Sequence, residues 1–492
     1  MKVYYIVKKT IGKCFLTFLL ISTLTSCFDD YLAVDVYESP VSSSFYKTEI
    51  DAEQALTAAY APMNSMYGVF FKAISGDLLF GDIGTDDLLK GGANISDRVQ
   101  LYEKETYNLT TSNASVKQIW KENYIGVLYA NLVLEKVPNI NFADATYKKQ
   151  IIAEAHFLRA YYYFYLLNSF GGVPLIKEGV FYGDTNIPRA TEIETYEFIE
   201  DDLKAAIADL PSRFTQGDDY LGHADKGAAL GLMMRVSLYQ NKMGQVKTYG
   251  DQLLTLPYVL EPDFNNVFQQ SGEWNSGSVF EIDFSSNSSG LGNQIPLAMT
   301  PKSKGGIGLG QLKQELIDAY DVNDPRITGS FYQVTGGYGT TWYNKKYSWS
   351  PYSDYNQPTI GGKGNSANNI RVIRLADAYL MYAEAIYQTN PITAIEYVNK
   401  VRKRARESGG IGNLVPADLP LTLIGDDLRD AIYKERRLEL AGEGFRYHDL
   451  IRTNRAADVL VPLGYQVGKN EVMPIPYEEI TLSQGIILQN NY

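Results

Sequence analysis

Apolar positions along this chain recur mainly at helical spacing. Between Val116 and Val137, Trp120, Tyr124, Ile125, Leu128 and Leu132 fall on one face, and Pro138 stops the run. The same periodicity predicts helices over Tyr147–Phe170, Thr191–Leu210, His223–Gln240, Gln311–Tyr320, Leu375–Gln388, Pro391–Glu407 and Asp426–Glu443. Thr191 and Glu194 form a capping-box pair at one of these starts, and Pro211 marks its end. Phe280-Glu281-Ile282-Asp283-Phe284 alternates like a short strand. The fold class is therefore mostly α, with short connections between antiparallel helix neighbours.

Small residues sit beside bulky ones on these faces. Ala160 with Phe164, and the Trp120/Tyr124 pair, have the look of degenerate tetratricopeptide packing, in which one helix accepts large side chains from its partner. The run Tyr161-Tyr162-Tyr163-Phe164-Tyr165 could suggest a sugar platform, but on a helix its rings point all round, so inter-helix packing is the expected role. Residues 261–370 differ: Gly, Ser, Asn and aromatics dominate and helical periods are few, as in a binding surface built on loops.

The N-terminus reads as an address. Lys2, Lys8, Lys9 and Lys13 accompany an apolar run, Cys14–Leu24, that as a helix spans about 16 Å, well short of a hydrocarbon core of about 30 Å. This is a signal-peptide pattern over residues 1–26. Leu24-Thr25-Ser26-Cys27 resembles the bacterial lipobox, which makes Cys27 the expected lipidation site and residues 27–40 a tether. Phe28-Asp29-Asp30 resembles the surface-export signal of Bacteroidetes lipoproteins. With no later apolar run long enough to span a membrane, a lipid is the expected anchor.

Composition narrows the chemistry. Apolar residues at 45% and charged residues at 21% suit a globular chain of 492 residues. A net charge of −12 argues against nucleic acid, whose phosphates would go unneutralised. Three His and two Cys nearly exclude a metal site built on those ligands. His156, His223 and His448 each stand alone in a different segment. Asp77, Asp82, Asp86 and Asp87 offer oxygen ligands for Ca²⁺, but without EF-hand spacing, so capping and turns are expected and no cofactor is assigned. Gly306-Ile307-Gly308-Leu309-Gly310 lacks the Lys and Ser/Thr of a phosphate loop and reads as a turn. No nucleophile elbow or His-Glu-x-x-His is present, so no catalytic residue is assigned.

The positive signal is aromatic. The chain holds 38 Tyr, 20 Phe and 4 Trp. Tyr338, Trp342, Tyr343, Tyr347, Trp349, Tyr352 and Tyr355 crowd one Gly/Ser/Asn/Lys loop, and Trp274 lies in another. A flat ring buries the C–H face of a sugar while polar groups at its edge bond the hydroxyls. Trp274, Tyr338, Trp342, Tyr343, Trp349 and Tyr352 are the candidate ligand contacts; Tyr347 is assigned to structure.

Five ordered blocks resemble the SusD/RagB family of nutrient-uptake lipoproteins. They are Glu154–Phe164 with Gly171–Leu175, Arg374–Ala385, Val401–Ala405, Glu435–Arg452, and Met473–Pro476 with Gln489–Tyr492. The resemblance implies a non-enzymatic outer-membrane lipoprotein, exposed at the cell surface, that captures oligosaccharide and hands it to a SusC-like TonB-dependent transporter. It implies one helical unit, with residues 41–260 and 261–492 packed together. It also implies that the loop Lys90–Arg98 contributes to the ligand arc; this loop has no Trp, so Asn94 and Arg98 are its polar candidates. The mixed charges of Glu435–Arg452, with Arg374, Asp377 and Glu384, read as an ion-pair network tying the last helices down. The rival readings are a lipid-anchored glycoside hydrolase, marked by a buried unpaired carboxylate pair facing the aromatics, and a helical scaffold for protein partners.

Overall fold

The structure is a computed structural model that describes residues 45–68, 76–180, 186–217, 220–288, 290–336, 339–348 and 362–492. Residues 49–492 form one compact unit. Its long helices are α1 (Glu49–Gly68), α2 (Ala114–Lys136), α3 (Ala145–Phe170), α4 (Glu192–Asp209), α5 (Lys226–Tyr239), α6 (Met243–Leu253), α7 (Leu375–Ile386), α8 (Pro391–Glu407) and α9 (Gly425–Glu439). Among the described residues no helix is long and apolar enough to cross a membrane.

Each long helix packs on its successor, and the odd-numbered helices also touch in turn, α1 to α3, α3 to α5, α5 to α7 and α7 to α9. This is helix-pair stacking, in which α3, α5 and α7 are buried over most of their length and α4, α6 and α8 along one side. Burial follows. Helix α5 is buried from Gly227 to Leu238, whereas α8 buries only a stripe through Ala394, Ile395, Val398, Val401 and Ala405. Small residues take in large ones as expected. Gly126 on α2 faces the Tyr162 ring of α3 so closely that a Cβ would overlap it, and the Tyr162 hydroxyl donates to Ala59 O on α1 at 2.6 Å. Tyr161, Tyr162 and Tyr163 are fully buried, in keeping with the packing role.

Several boundaries shift for physical reasons. Helix α5 starts at Lys226 rather than His223, because Asp225 accepts from Ala228 N at 2.8 Å and caps it. The helix expected over Gln311–Tyr320 begins only at Gln314; Gln311 and Leu312 belong to a strand. Helix α9 stops at Glu439, and Gly442 and Gly444 take positive φ, which turns Glu443 back towards Glu439.

The expected Glu435–Arg452 network is present and buried. Arg374 donates to Glu439 at 3.0 Å and Glu443 at 2.7 Å, and Lys346 meets Glu443 at 2.6 Å. Arg404 and Arg326 also reach Glu439. A second cluster joins Arg436 to Asp377 and Asp449, and Arg452 to Glu384 and Asp449. Despite burial, the surrounding guanidiniums hold Glu439 and Asp449 down at about 2. In the acidic loop, Asp82 accepts from the Gly444 and Arg446 backbone, while Asp86 and Asp87 pair with Arg437 and Arg446.

Among the described residues the strands are β1 (Leu88–Gly91), β2 (Ser278–Ile282), β3 (Leu309–Leu312), β4 (Phe331–Gly336), β5 (Gly339–Asn344) and β6 (Ile370–Arg374). The strand expected at Phe280–Phe284 lies at Ser278–Ile282 and pairs antiparallel with β6. This two-stranded sheet packs on α5 and carries Asp283 just past its end. The other sheet has order β1-β3-β5-β4 and occupies part of the stretch expected to be loop.

A tryptophan-lined cleft on the first helix

Helix α1 presents Thr57, Tyr60, Ala61, Asn64 and Ser65 at helical spacing on one face, while Ala52, Ala55, Leu56, Ala59, Met63 and Met66 are buried. Over that outer face lies a cleft of about 650 Å³, a size that suits a small ligand or a few sugar rings. Its other walls are Leu221, Glu273, Trp274, the segment from Asp283 to Ser285, the segment from Gly290 to Gly292, and Asn369.

Trp274 is held in a costly conformation. Its φ is +49°, the left-handed region that a bulky side chain avoids at a cost of about 1–3 kcal/mol. Two carboxylates hold it there: its backbone N–H donates to Glu281 Oε1 at 3.0 Å, and its indole Nε1 donates to Asp283 Oδ1 at 2.7 Å. Arg213 lies over the ring at 5.7 Å from its centroid. The side chain stays half-buried at the cleft wall.

Asn369 organises the acids. Its side chain donates to Glu281 Oε2 at 3.1 Å and Asp283 Oδ1 at 2.7 Å, and its backbone N–H donates to Glu273 Oε1 at 2.8 Å. Glu273 Oε2 and Asp283 Oδ2 accept no hydrogen bond among the described residues. Partial burial pushes the Glu273 carboxyl up to about 7, against the pull of Arg371 at 3.8 Å. Behind the α1 face, the Tyr60 hydroxyl donates to the buried Glu154 at 2.6 Å and accepts from Ala224 N at 2.8 Å. His223 meets the same Glu154 oxygen at 2.8 Å; burial opposes its protonation, but that bond raises its pKa above the usual value.

The sequence candidates separate. Trp274 lines the cleft. Trp342 and Tyr343 do not lie in a loop as expected; they are adjacent on β5 and so point to opposite faces. Trp342 shares its face with the buried Leu88 and Leu312, and its Nε1 donates to Gln314 Oε1 at 3.2 Å. Tyr343 shares the other face with Leu89, Gln311 and Tyr332, its hydroxyl accepting from Gln311 at 3.1 Å and its ring 6.2 Å from that of Tyr332. Asn94 and Arg98 lie on the loop after β1, which folds around the Lys90 ammonium: Lys90 Nζ donates to the carbonyls of Gly91, Asn94 and Asp97. Asn94 Oδ1 closes that turn by accepting from Ser96 N and Asp97 N, and Arg98 pairs with Asp97 at 3.6 Å. Tyr338, Trp349, Tyr352 and Cys27 fall outside the described residues. Tyr347 is fully buried and accepts from Arg371 N at 3.3 Å.

Sequence reasoning missed the α1 face, Glu273 and Asn369. The α1 spacing was available as a signal; the convergence with residues more than two hundred positions away was not.

The SusD family model matches residues 328–471, and a model described as starch-binding and associating with the outer membrane matches residues 30–238. The chain belongs to the SusD family. Two SusD-like proteins of Formosa agariphila are 26% and 27% identical to it, over 94% and 96% of this chain and 95% and 97% of their own. Among solved structures, a laminarin-binding SusD-like protein aligns with TM-score 0.78 at 29% identity, covering 91% of this chain and all of that one. Surface glycan-binding protein A from Bacteroides thetaiotaomicron, in complex with laminarihexaose, aligns with TM-score 0.77 at 26% identity, again over 91% of this chain and 100% of that one. This SusD-family chain thus shares both its helix stacking and its overall length with those proteins.

Proposed function

We propose that this chain is a surface-exposed glycan-binding lipoprotein that captures oligo- or polysaccharide and passes it to a SusC-like TonB-dependent transporter in the outer membrane, with Cys27 carrying the lipid. The observation that carries the reading is Trp274: a residue with a strained backbone, fixed by two carboxylates through its N–H and its indole, lining a cleft that also offers unpaired carboxylate acceptors. Such a wall stacks the C–H face of a pyranose and accepts from its hydroxyls without a catalyst. The glycan-binding names of the solved relatives support the ligand class, and the description of the residue 30–238 match supports the membrane. The transporter rests on the family resemblance. Tyr343 and Tyr332, with Asn94 and Arg98 on the neighbouring loop, offer a second aromatic face that can extend a polysaccharide's footprint.

Isothermal titration of the soluble chain with laminarin, starch and xylan tests the binding; heat with at least one supports the reading, and silence with every glycan contradicts it. Cys27→Ala tests the anchor, with loss of the protein from the membrane fraction as the expected result. One observation favours a second reading, a glycoside hydrolase: Glu273 and Asp283 share the cleft, and Glu273 titrates near neutrality. Release of reducing ends from a bound glycan would establish that reading instead.

A further inference from the structure

The cleft has a one-sided charge pattern. Among the described residues, its charged lining side chains are Glu273 and Asp283, with no Lys or Arg. Each acid ties one oxygen to Asn369 and leaves the other without a hydrogen bond among the described residues. Nearby cations are engaged elsewhere. Arg371 donates to the carbonyls of Val267, Gln269 and Asn369 at 2.6–3.1 Å and stays 3.8 Å from Glu273 and 3.7 Å from Glu281. Arg213 donates to Asn275 O and lies over aromatic rings, and His223 bonds Glu154.

We propose that Glu273 and Asp283 make this cleft selective for uncharged glycans, accepting hydroxyl donors while turning away chains that carry carboxylates or sulfates. The inference rests on the glycan-binding reading of the same cleft. Two free carboxylate oxygens are acceptors only, and a sugar supplies the donors they lack. A uronate or sulfate brought to the same wall would meet like charge, with no described Lys or Arg among the lining residues to offset it. Burial also gives the device a pH dependence. Glu273 faces Arg371, Glu281 and Asp283; Asp283 faces Glu281, Trp274 and Asn369, with His223 on the α1 side. As pH falls through about 7, Glu273 takes up a proton and the repulsion weakens.

The test is titration of the full soluble chain with laminarin, starch and xylan, each beside its carboxylated derivative, at about pH 8 and about pH 6. The wild type is expected to prefer the neutral form by about tenfold or more at the higher pH, with a smaller ratio at the lower pH and at high salt. The ratio should fall towards unity in the Glu273→Gln/Asp283→Asn variant, whose fold is checked by its thermal midpoint, while the wild-type pH profile tests the selectivity without any substitution. Equal affinity of the wild type for both forms, or a ratio untouched by the substitutions in a folded variant, overturns the selectivity alone. Absence of binding to any glycan instead removes the glycan-binding reading.

Discussion

The indole Nε1 of Trp274 donates to Oδ1 of Asp283 at 2.7 Å, so a ring on the loop before β2 is locked to a carboxylate just beyond that strand's end. The bond places the indole against the cleft over α1 and fixes its tilt. Trp274→Ala should therefore weaken glycan binding by about tenfold or more, ~1.4 kcal/mol, in isothermal titration. Trp274→Phe keeps a ring but loses the bond and should fall between. Trp342→Ala, outside this cleft, should cost about twofold or less.

Arg374 joins Glu439 and Glu443 where both carboxylates are buried. Removing one partner of such a cluster strands the others. Arg374→Met should lower unfolding free energy by about 3–5 kcal/mol, read as a drop in the urea midpoint.

Acid should unfold the chain through identified groups. Glu439 and Asp449 are held at about 2, below their unfolded values, so the stability they contribute is complete above about pH 5 and lost as pH falls through about 2. Burial lowers His448 to about 4, which acts with the same sign. Asp82 and Glu273, raised by burial to about 7, act oppositely: their contribution is present at low pH and lost as pH rises through neutrality. Urea midpoints measured across pH should rise from acid to a maximum below neutrality, and Asp82→Asn should flatten the alkaline limb.

Two helix glycines should respond with opposite signs. A Cβ at Gly126 collides with the Tyr162 ring, so Gly126→Ala should destabilise by about 1–3 kcal/mol. Nothing lies within 4 Å of a Cβ at Gly244 in α6, so Gly244→Ala should stabilise by about 0.5–1 kcal/mol. Thermal midpoints distinguish the two.

Local rules carried much of the fold into the sequence. The Thr191/Glu194 capping box forms as its spacing predicts, and the charges of Glu435–Arg452 make the network their helical spacing suggests. The β4–β5 hairpin was less visible, because Gly and Tyr around positions 336–339 resemble loop as much as turn, although Thr340–Asn344 has strand-like residues. The cleft was legible only in Trp274. Its partners come from α1, from the end of β2 and from just before β6, and only long-range packing brings Asn64, Asp283 and Asn369 together. No periodicity encodes such a meeting.

The most direct check is a crystal structure of the chain soaked with laminarihexaose or with whichever neutral oligosaccharide titrates. A pyranose ring stacked on Trp274, with hydroxyls at Asp283 and Glu273, is the predicted result. Sugar bound elsewhere with the Trp274 cleft empty contradicts it.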